Sequence, residues 1–371
     1  MLSKSSNITL DLLEPTIYVE SNSVNSNVIR GTVNINLPKT TTVKTLSVIF
    51  EGQLDTKSYS FEAIESSGSF ARKKPLARQR LVLYPTLEQE NASRPLILNA
   101  GLTQYGFEMQ IPSGLPESID CSEIKVEYSV TAVMDVYPTN SFLRVSRGSH
   151  KETFKQTVRV ARLPYENVLM GDSMSEPIDS HSHQATWLEY QIVVSKKAVA
   201  LGNNLPVTFR FSPTHEGVIV DRVTLQMLER RDVHRDVTHS NHSVFGIQPC
   251  KKNAVTFPRG VLEESWEGTV SYQIPNGRSL SHSTQDYSDF RVSHTLLVSI
   301  TLSVPGTGRC RVTKLLTFQA NIDLLDKTIG DLDTLELPTY DSPPPFDNTK
   351  VVFGEYERKF ADPPNYSDIC A

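Results

Sequence analysis

At 371 residues, with 38% hydrophobic and 21% charged side chains, the chain has room for two compact domains and a tail. Its net charge of −5 is unevenly placed, because nine acidic residues against three basic ones follow from Asp331 onward and leave the first 330 residues near neutral. A neutral body with an acidic tail excludes a nucleic-acid binder, whose phosphate contacts need a concentrated basic surface, and no stretch approaches the 18 apolar residues of a transmembrane helix.

The first residues, Met1-Leu2-Ser3-Lys4-Ser5-Ser6, lack the apolar run of a secretory signal, so the expected address is the cytosol. Cys121, Cys250, Cys310 and Cys370 lie far apart with no C-x-x-C pair, which predicts free thiols rather than a disulfide framework or a zinc site. From there on the dominant period is two. Val33, Ile35 and Leu37, then Leu46, Val48 and Phe50, then Phe107, Met109 and Ile111 each alternate with polar or small residues. The longest such run is Ile124, Val126, Tyr128, Val130, Ala132, Met134 and Val136. Side chains of a strand point alternately to opposite faces, so this run buries one whole face against a second sheet.

Regular alternation stops after Leu163-Pro164-Tyr165 and restarts near Leu188-Glu189-Tyr190. It continues through Val207, Phe209 and Phe211, through Val223, Leu225 and Met227, and through Leu296, Val298, Ile300 and Leu302. No segment shows a capped amphipathic helical stripe. Many short strands punctuated by Pro, Gly, Asn and Ser predict an all-β protein with two tandem immunoglobulin-like β-sandwiches. The expected division is an N-terminal sandwich over 1–166, a linker over 167–186, a C-terminal sandwich over 187–328 and a tail over 329–371. In that tail six prolines fall between Pro338 and Pro364 while apolar periodicity vanishes. Such a segment buries too little apolar surface to offset chain entropy, so it is expected to be disordered.

Two tail motifs carry recognisable chemistry. Pro363-Pro364-Asn365-Tyr366 is a P-P-x-Y motif and Leu337-Pro338-Thr339-Tyr340 is its L-P-x-Y relative. Proline holds φ near the polyproline II value, so little entropy is lost on docking in an aromatic groove, and the tyrosine fills a neighbouring pocket. Pro363, Pro364, Tyr366, Leu337, Pro338 and Tyr340 are therefore the expected WW-domain contacts. Pro343-Pro344-Pro345-Phe346 lacks the tyrosine and is read as spacer.

The order of these features resembles the α-arrestins, the arrestin-related trafficking adaptors best known from fungi. The resemblance rests on Gly31-Thr32-Val33-Asn34-Ile35 with Val43–Gly52, on Tyr105–Pro112 followed by Leu115-Pro116-Glu117-Ser118, on Val126-Glu127-Tyr128, and on Val292-Ser293-His294-Thr295-Leu296. It covers about residues 8–325 and implies arrestin-type sandwiches. It also implies an adaptor that brings a WW-domain HECT-type ubiquitin ligase to a membrane transporter or receptor, acting peripherally at the plasma membrane or endosomes. The alternative is an arrestin-like sorting or signalling scaffold that binds a receptor tail and recruits no ligase.

Other charged and histidine-bearing segments lack a complete chemical site. Arg72, Lys73, Lys74, Arg78 and Arg80 place five cations in nine positions, a basic loop that is a candidate contact for anionic membrane. His181 and His183 lack a third ligand, and His234, His239 and His242 share a surface loop with Arg230, Arg231 and Arg235, so no metal is expected. Asp221, Asp232 and Asp236 lack calcium-loop spacing. No nucleophile elbow, phosphate-binding loop, dinucleotide fingerprint or H-E-x-x-H is present, so neither a cofactor nor an enzymatic activity is expected.

Overall fold

The computed structural model describes residues 7–19, 27–59, 69–85, 95–137, 150–163, 177–236, 239–247, 257–258, 260–276, 280–306, 308 and 310–333. Two β-sandwiches follow one another along the chain. In the first, β1 (Ile8–Leu12), β3 (Asn27–Leu37) and β7 (Gly101–Ile111) form one sheet in the order β1-β3-β7. The facing sheet runs β2-β10-β9-β4-β5, from β2 (Thr16–Val19), β10 (His150–Arg162), β9 (Ile124–Val136), β4 (Thr41–Tyr59) and β5 (Ser69–Tyr84). Short strands β6 (Leu96–Leu98) and β8 (Ile119–Asp120) add to β4 and β9.

Alternation in the sequence becomes burial in space. All seven apolar residues of the β9 run, Ile124 to Val136, lie in the core, and so do the runs on β3, β4 and β7. Close packing extends to glycine. A methyl group on Gly52, at a bulge between β4 and β5, would stand 2.5 Å from the ring of Tyr128. That ring also stacks on Phe50, and its hydroxyl donates to the Pro116 carbonyl at 2.7 Å.

The second sandwich pairs β11 (Ile178–Asp179), β13 (Leu188–Val194), β15 (Asn204–Pro213) and β18 (Trp266–Gln273) in one sheet, with β12 (His183–Gln184) added to β13. Its other sheet runs β14-β20-β19-β16-β17, from β14 (Ala198–Ala200), β16 (Ile219–Asp236), β17 (His239–Ile247), β19 (Phe290–Pro305) and β20 (Arg311–Leu325). Phe209, Phe211, Met227, Leu296, Val298 and Leu302 are fully enclosed between the two sheets.

Two boundaries differ from the sequence reading. Residues 178–184, expected in the linker, already pair with β13, because backbone hydrogen bonding needs no apolar side chains to announce it. Residues 329–333, assigned to the tail, instead complete a short helix, α1 (Lys327–Asp333). Independent modules are also an incomplete picture. The long strands β16 and β19 overreach their own sandwich, and Val233, Phe290 and Val292 pack in the apolar core of the first. Residues up to Asp333 accordingly form one compact unit.

Candidate interaction surfaces

Pro363, Pro364, Tyr366, Leu337, Pro338 and Tyr340 lie outside the described residues. What is described is the anchor from which their segment leaves. Asp326 caps α1, its Oδ1 accepting from the Thr328 backbone N–H and hydroxyl, each at 2.9 Å. Its other carboxylate oxygen accepts from Arg159 Nε of β10 at 2.9 Å. Ile329, 2% exposed, packs with Ala161, Ala200 and Leu325. The helix is thereby pinned to both sandwiches. Its start was missed in the sequence because seven residues are too few for a periodic stripe, although Asp326-x-Thr328 is a capping signal.

The five cations at 72–80 do not sit in a loop. They lie on β5, the edge strand beside β4, and the strand divides them between two faces. Arg72 and Lys74 lie opposite Thr56 and the buried Leu54 and turn towards the second sandwich. There Lys74 Nζ meets Asp289 Oδ2 at 2.7 Å and Arg72 stands 3.8 Å from the same carboxylate. Lys73 and Arg78 face the other way and pair with Asp55 (3.6 Å) and Glu51 (3.2 Å) of β4. A bulge between Gly52 and Gln53 keeps Arg78 and Arg80 on the face of Lys73. A run that reads as one basic patch is two, and four of its five charges already face a carboxylate.

The segment around Arg230, Arg231 and His234, expected as a surface loop, is the far half of β16 in a hairpin with β17. Arg231 and Asp232 are buried and Glu229 has no exposed surface. Here the two sandwiches meet through charge. Arg231 Nε donates to Glu229 Oε1 at 2.5 Å, and its Nη1 donates to Glu123 Oε2 of the first sandwich at 2.6 Å. His294 Nε2 stands 3.1 Å from Glu229 Oε2, while its Nδ1 is 2.8 Å from the Ser283 hydroxyl. Both contacts are satisfied by a neutral imidazole that donates from Nε2 and accepts at Nδ1. Burial drives His294 below the usual histidine range despite the opposing pull of Glu229. Burial also disfavours the Glu229 carboxylate. The His294 hydrogen bond, the Ser281 N–H and the Arg231 charge outweigh it and hold Glu229 below its ordinary value.

A second buried group lies alongside. Arg162 of β10 is bidentate to Asp323 of β20, at 2.6 and 3.1 Å, and its Nε is 2.9 Å from the enclosed Glu117. The latter is close in distance without a hydrogen-bonding angle. Burial opposes the Arg162 cation, but Asp323 and Glu117 raise it above its ordinary value. His282 bridges the same joint, its Nε2 2.9 Å from the Ser118 carbonyl and its Nδ1 3.0 Å from that of Ser283. Sequence reading did not find this joint. Glu229-x-Arg231 has the spacing that puts two charges on one strand face, but their acidic and histidine partners lie more than fifty positions away in the chain.

Among the described residues no cluster of histidine, cysteine and carboxylate side chains has the makings of a metal site, and no helix is long and apolar enough to cross a membrane. Comparison with known proteins agrees with the architecture. Residues 8–160 match the arrestin (or S-antigen) N-terminal domain and residues 185–325 the arrestin C-terminal domain, leaving the tail outside both. An arrestin-related trafficking adapter of Schizosaccharomyces pombe is 26% identical over 259 residues, which cover 62% of this chain and 49% of that protein. Arrestin-related trafficking adapter 3 of Saccharomyces cerevisiae is 24% identical over 270 residues, 65% of this chain and 24% of that one. An arrestin domain-containing protein of S. pombe is 24% identical over 220 residues, 56% and 33% of the two chains. The chain spans about half the length, or less, of these relatives. Two successive arrestin domains and this set of relatives establish that the chain belongs to the arrestin family, in its α-arrestin branch of fungal type.

Proposed function

We propose that the protein is a trafficking adaptor whose body meets membrane cargo, a transporter or receptor, and whose tail recruits a WW-domain HECT-type ubiquitin ligase. The observation that carries this reading is the pair of motifs, Leu337-Pro338-x-Tyr340 and Pro363-Pro364-x-Tyr366, placed directly behind a two-domain arrestin body. The names of the matched relatives support the trafficking part. Chemistry supports the ligase part. The Pro-Pro pair presents a preorganised surface to an aromatic groove, so the downstream motif is the stronger of the two. Twenty-two residues separate the motifs. A flexible spacer of that length spans on the order of 25 Å, at roughly 5–6 Å times the square root of residue number. Two WW domains of one ligase are then engaged together with a gain in avidity. Phosphorylation of Tyr366 blocks docking, because a dianion enters an apolar pocket only at a large desolvation cost.

Titration of the full chain into tandem WW domains tests the assignment. Tyr366→Ala is expected to lose most of the affinity, Tyr340→Ala less, and the double substitution nearly all. If Tyr366→Ala binds as tightly as the parent, the docking site is wrong and the scaffold without ligase recruitment becomes the better reading.

A further inference from the structure

Three exposed large apolar side chains stand on one face of the first sandwich. Tyr137, 47% exposed, directly follows β9, and its backbone N–H donates to the Thr42 carbonyl at 2.9 Å. Ile97 of β6, 60% exposed, lies opposite the same Thr42 on the other side of β4. Val82 of β5, also exposed, lies opposite Ser47. Their strand neighbours Val43, Leu46, Val48 and Val136 fill the core, so alternation turns all three outward. Cations frame them. Arg80 of β5 and Lys155 of β10 end one rung of the sheet, with Ile49 and Thr131 between them. Lys151 of β10 lies opposite Asp135, one outward position from Tyr137. Lys73 and Arg78, further along β5, are paired with Asp55 and Glu51. Arg80, Lys151 and Lys155 are exposed and form no ion pair among the described residues, while Asp135 accepts from the Thr45 hydroxyl at 3.0 Å.

We infer that this outer face docks on an anionic bilayer, with Ile97, Tyr137 and Val82 entering the headgroup boundary and Arg80, Lys151 and Lys155 meeting lipid phosphates. Peripheral attachment takes two signals, apolar burial and electrostatic attraction, and the basic strand β5 alone supplies only the second. With strands about 4.8 Å apart and outward positions about 6.8 Å apart, the six side chains cover roughly 14 by 20 Å. The floor between them is paired sheet, and Ile49, Thr131 and Val133 leave it uncharged. A peptide partner is held by a groove or by an unpaired strand edge. Here Tyr137 projects from the middle of the sheet, between β4 and β10, and the cations stand at its borders. Such an arrangement fits a planar surface that is apolar beneath and anionic above, the depth at which tyrosine settles and to which lysine stems reach. The inference concerns the folded body and is independent of the tail motifs.

The test is sedimentation of the full chain with vesicles of phosphatidylcholine containing phosphatidylserine at about 30 mol%, and with phosphatidylcholine alone. Ile97→Ser combined with Tyr137→Ser is expected to weaken binding to the mixed vesicles about fivefold or more, and so is Lys151→Glu combined with Lys155→Glu. Salt separates the two contributions. Raising it should shrink the deficit of the lysine variant and leave that of the apolar variant in place. Leu102→Ser, at an exposed position on β7 of the facing sheet, is expected to bind as the parent does. A second readout does not depend on lost binding. Tyr137→Trp on vesicles with brominated acyl chains should be quenched beyond the parent, whose Trp187 and Trp266 lie in the second sandwich. Equal binding by the parent and the Ile97/Tyr137 variant overturns the inference, and so does a Tyr137→Trp chain quenched no more than the parent. A parent that ignores both kinds of vesicle overturns it too and leaves the face to an acidic protein partner.

Discussion

Arg231 is the residue on which the buried joint turns. Its guanidinium is the counter-charge of both Glu229 and Glu123; Arg231 and Glu229 are buried, and Glu123 stands half-covered at the edge of the cluster. Removing one member of a buried ion pair leaves the other charge uncompensated, at a cost of about 3–5 kcal/mol, whereas removing both is far milder. Arg231→Met is therefore expected to cost a few kcal/mol of unfolding free energy, read as a lower urea midpoint. Adding Glu229→Gln to it should recover a substantial part. A loss below about 1 kcal/mol for the single change would mean that water reaches the cluster and that the pair is worth no more than a surface bridge.

Strand β5 shows how an element can divide a run of like charges. Its alternation and its bulge turn Arg72 and Lys74 towards Asp289 of the second sandwich and leave Lys73, Arg78 and Arg80 on the opposite face. The faces should answer different assays. Lys74→Glu is expected to cost on the order of 1 kcal/mol, the screened value for a partly exposed pair, and Asp289→Lys added to it should restore most of that loss. We expect reversal of Lys73, Arg78 and Arg80 to weaken capture by anionic vesicles at low salt, and the stabilised charge swap of Lys74 and Asp289 to leave capture in place. Vesicle binding that is indifferent to the outer three would end the membrane assignment for this strand.

At the scale of the molecule the joint makes stability depend on pH in a definite direction. His294 is held below the usual histidine range by burial, so the unfolded chain takes up a proton first as pH falls. Its contribution is complete above about pH 6.5 and declines below it. Glu229, Asp289 and Asp326 are all held below their ordinary carboxylate values. Burial opposes each of them. The Lys74 hydrogen bond outweighs it at Asp289, and those from Arg159 and the Thr328 N–H outweigh it at Asp326. Their contribution is present above about pH 4 and is lost as pH falls through the lowered values. Thermal midpoints are thus expected to hold level from pH 8 to 7, fall gently between 6.5 and 5, and fall steeply below 4. His294→Asn should flatten the middle stage only. A midpoint that rises on acidification from pH 7 to 5 would reverse the assignment of a neutral His294.

Strand identity and the architecture of two β-sandwiches were legible in the sequence, because alternation is a local matter. Alternation places every second side chain of Ile124–Val136 on one face whatever lies opposite, and a proline–tyrosine motif needs no fold to be recognised. The partners were decided by tertiary structure. Glu123 and Arg231 lie 108 positions apart, as Lys74 and Asp289 lie 215 apart, and no periodicity within one strand specifies which charge another strand will present to it. The same holds for the short helix that anchors the tail. Seven residues form α1 because Asp326 caps it and Ile329 finds a pocket between the sandwiches, and that pocket exists only once both have folded.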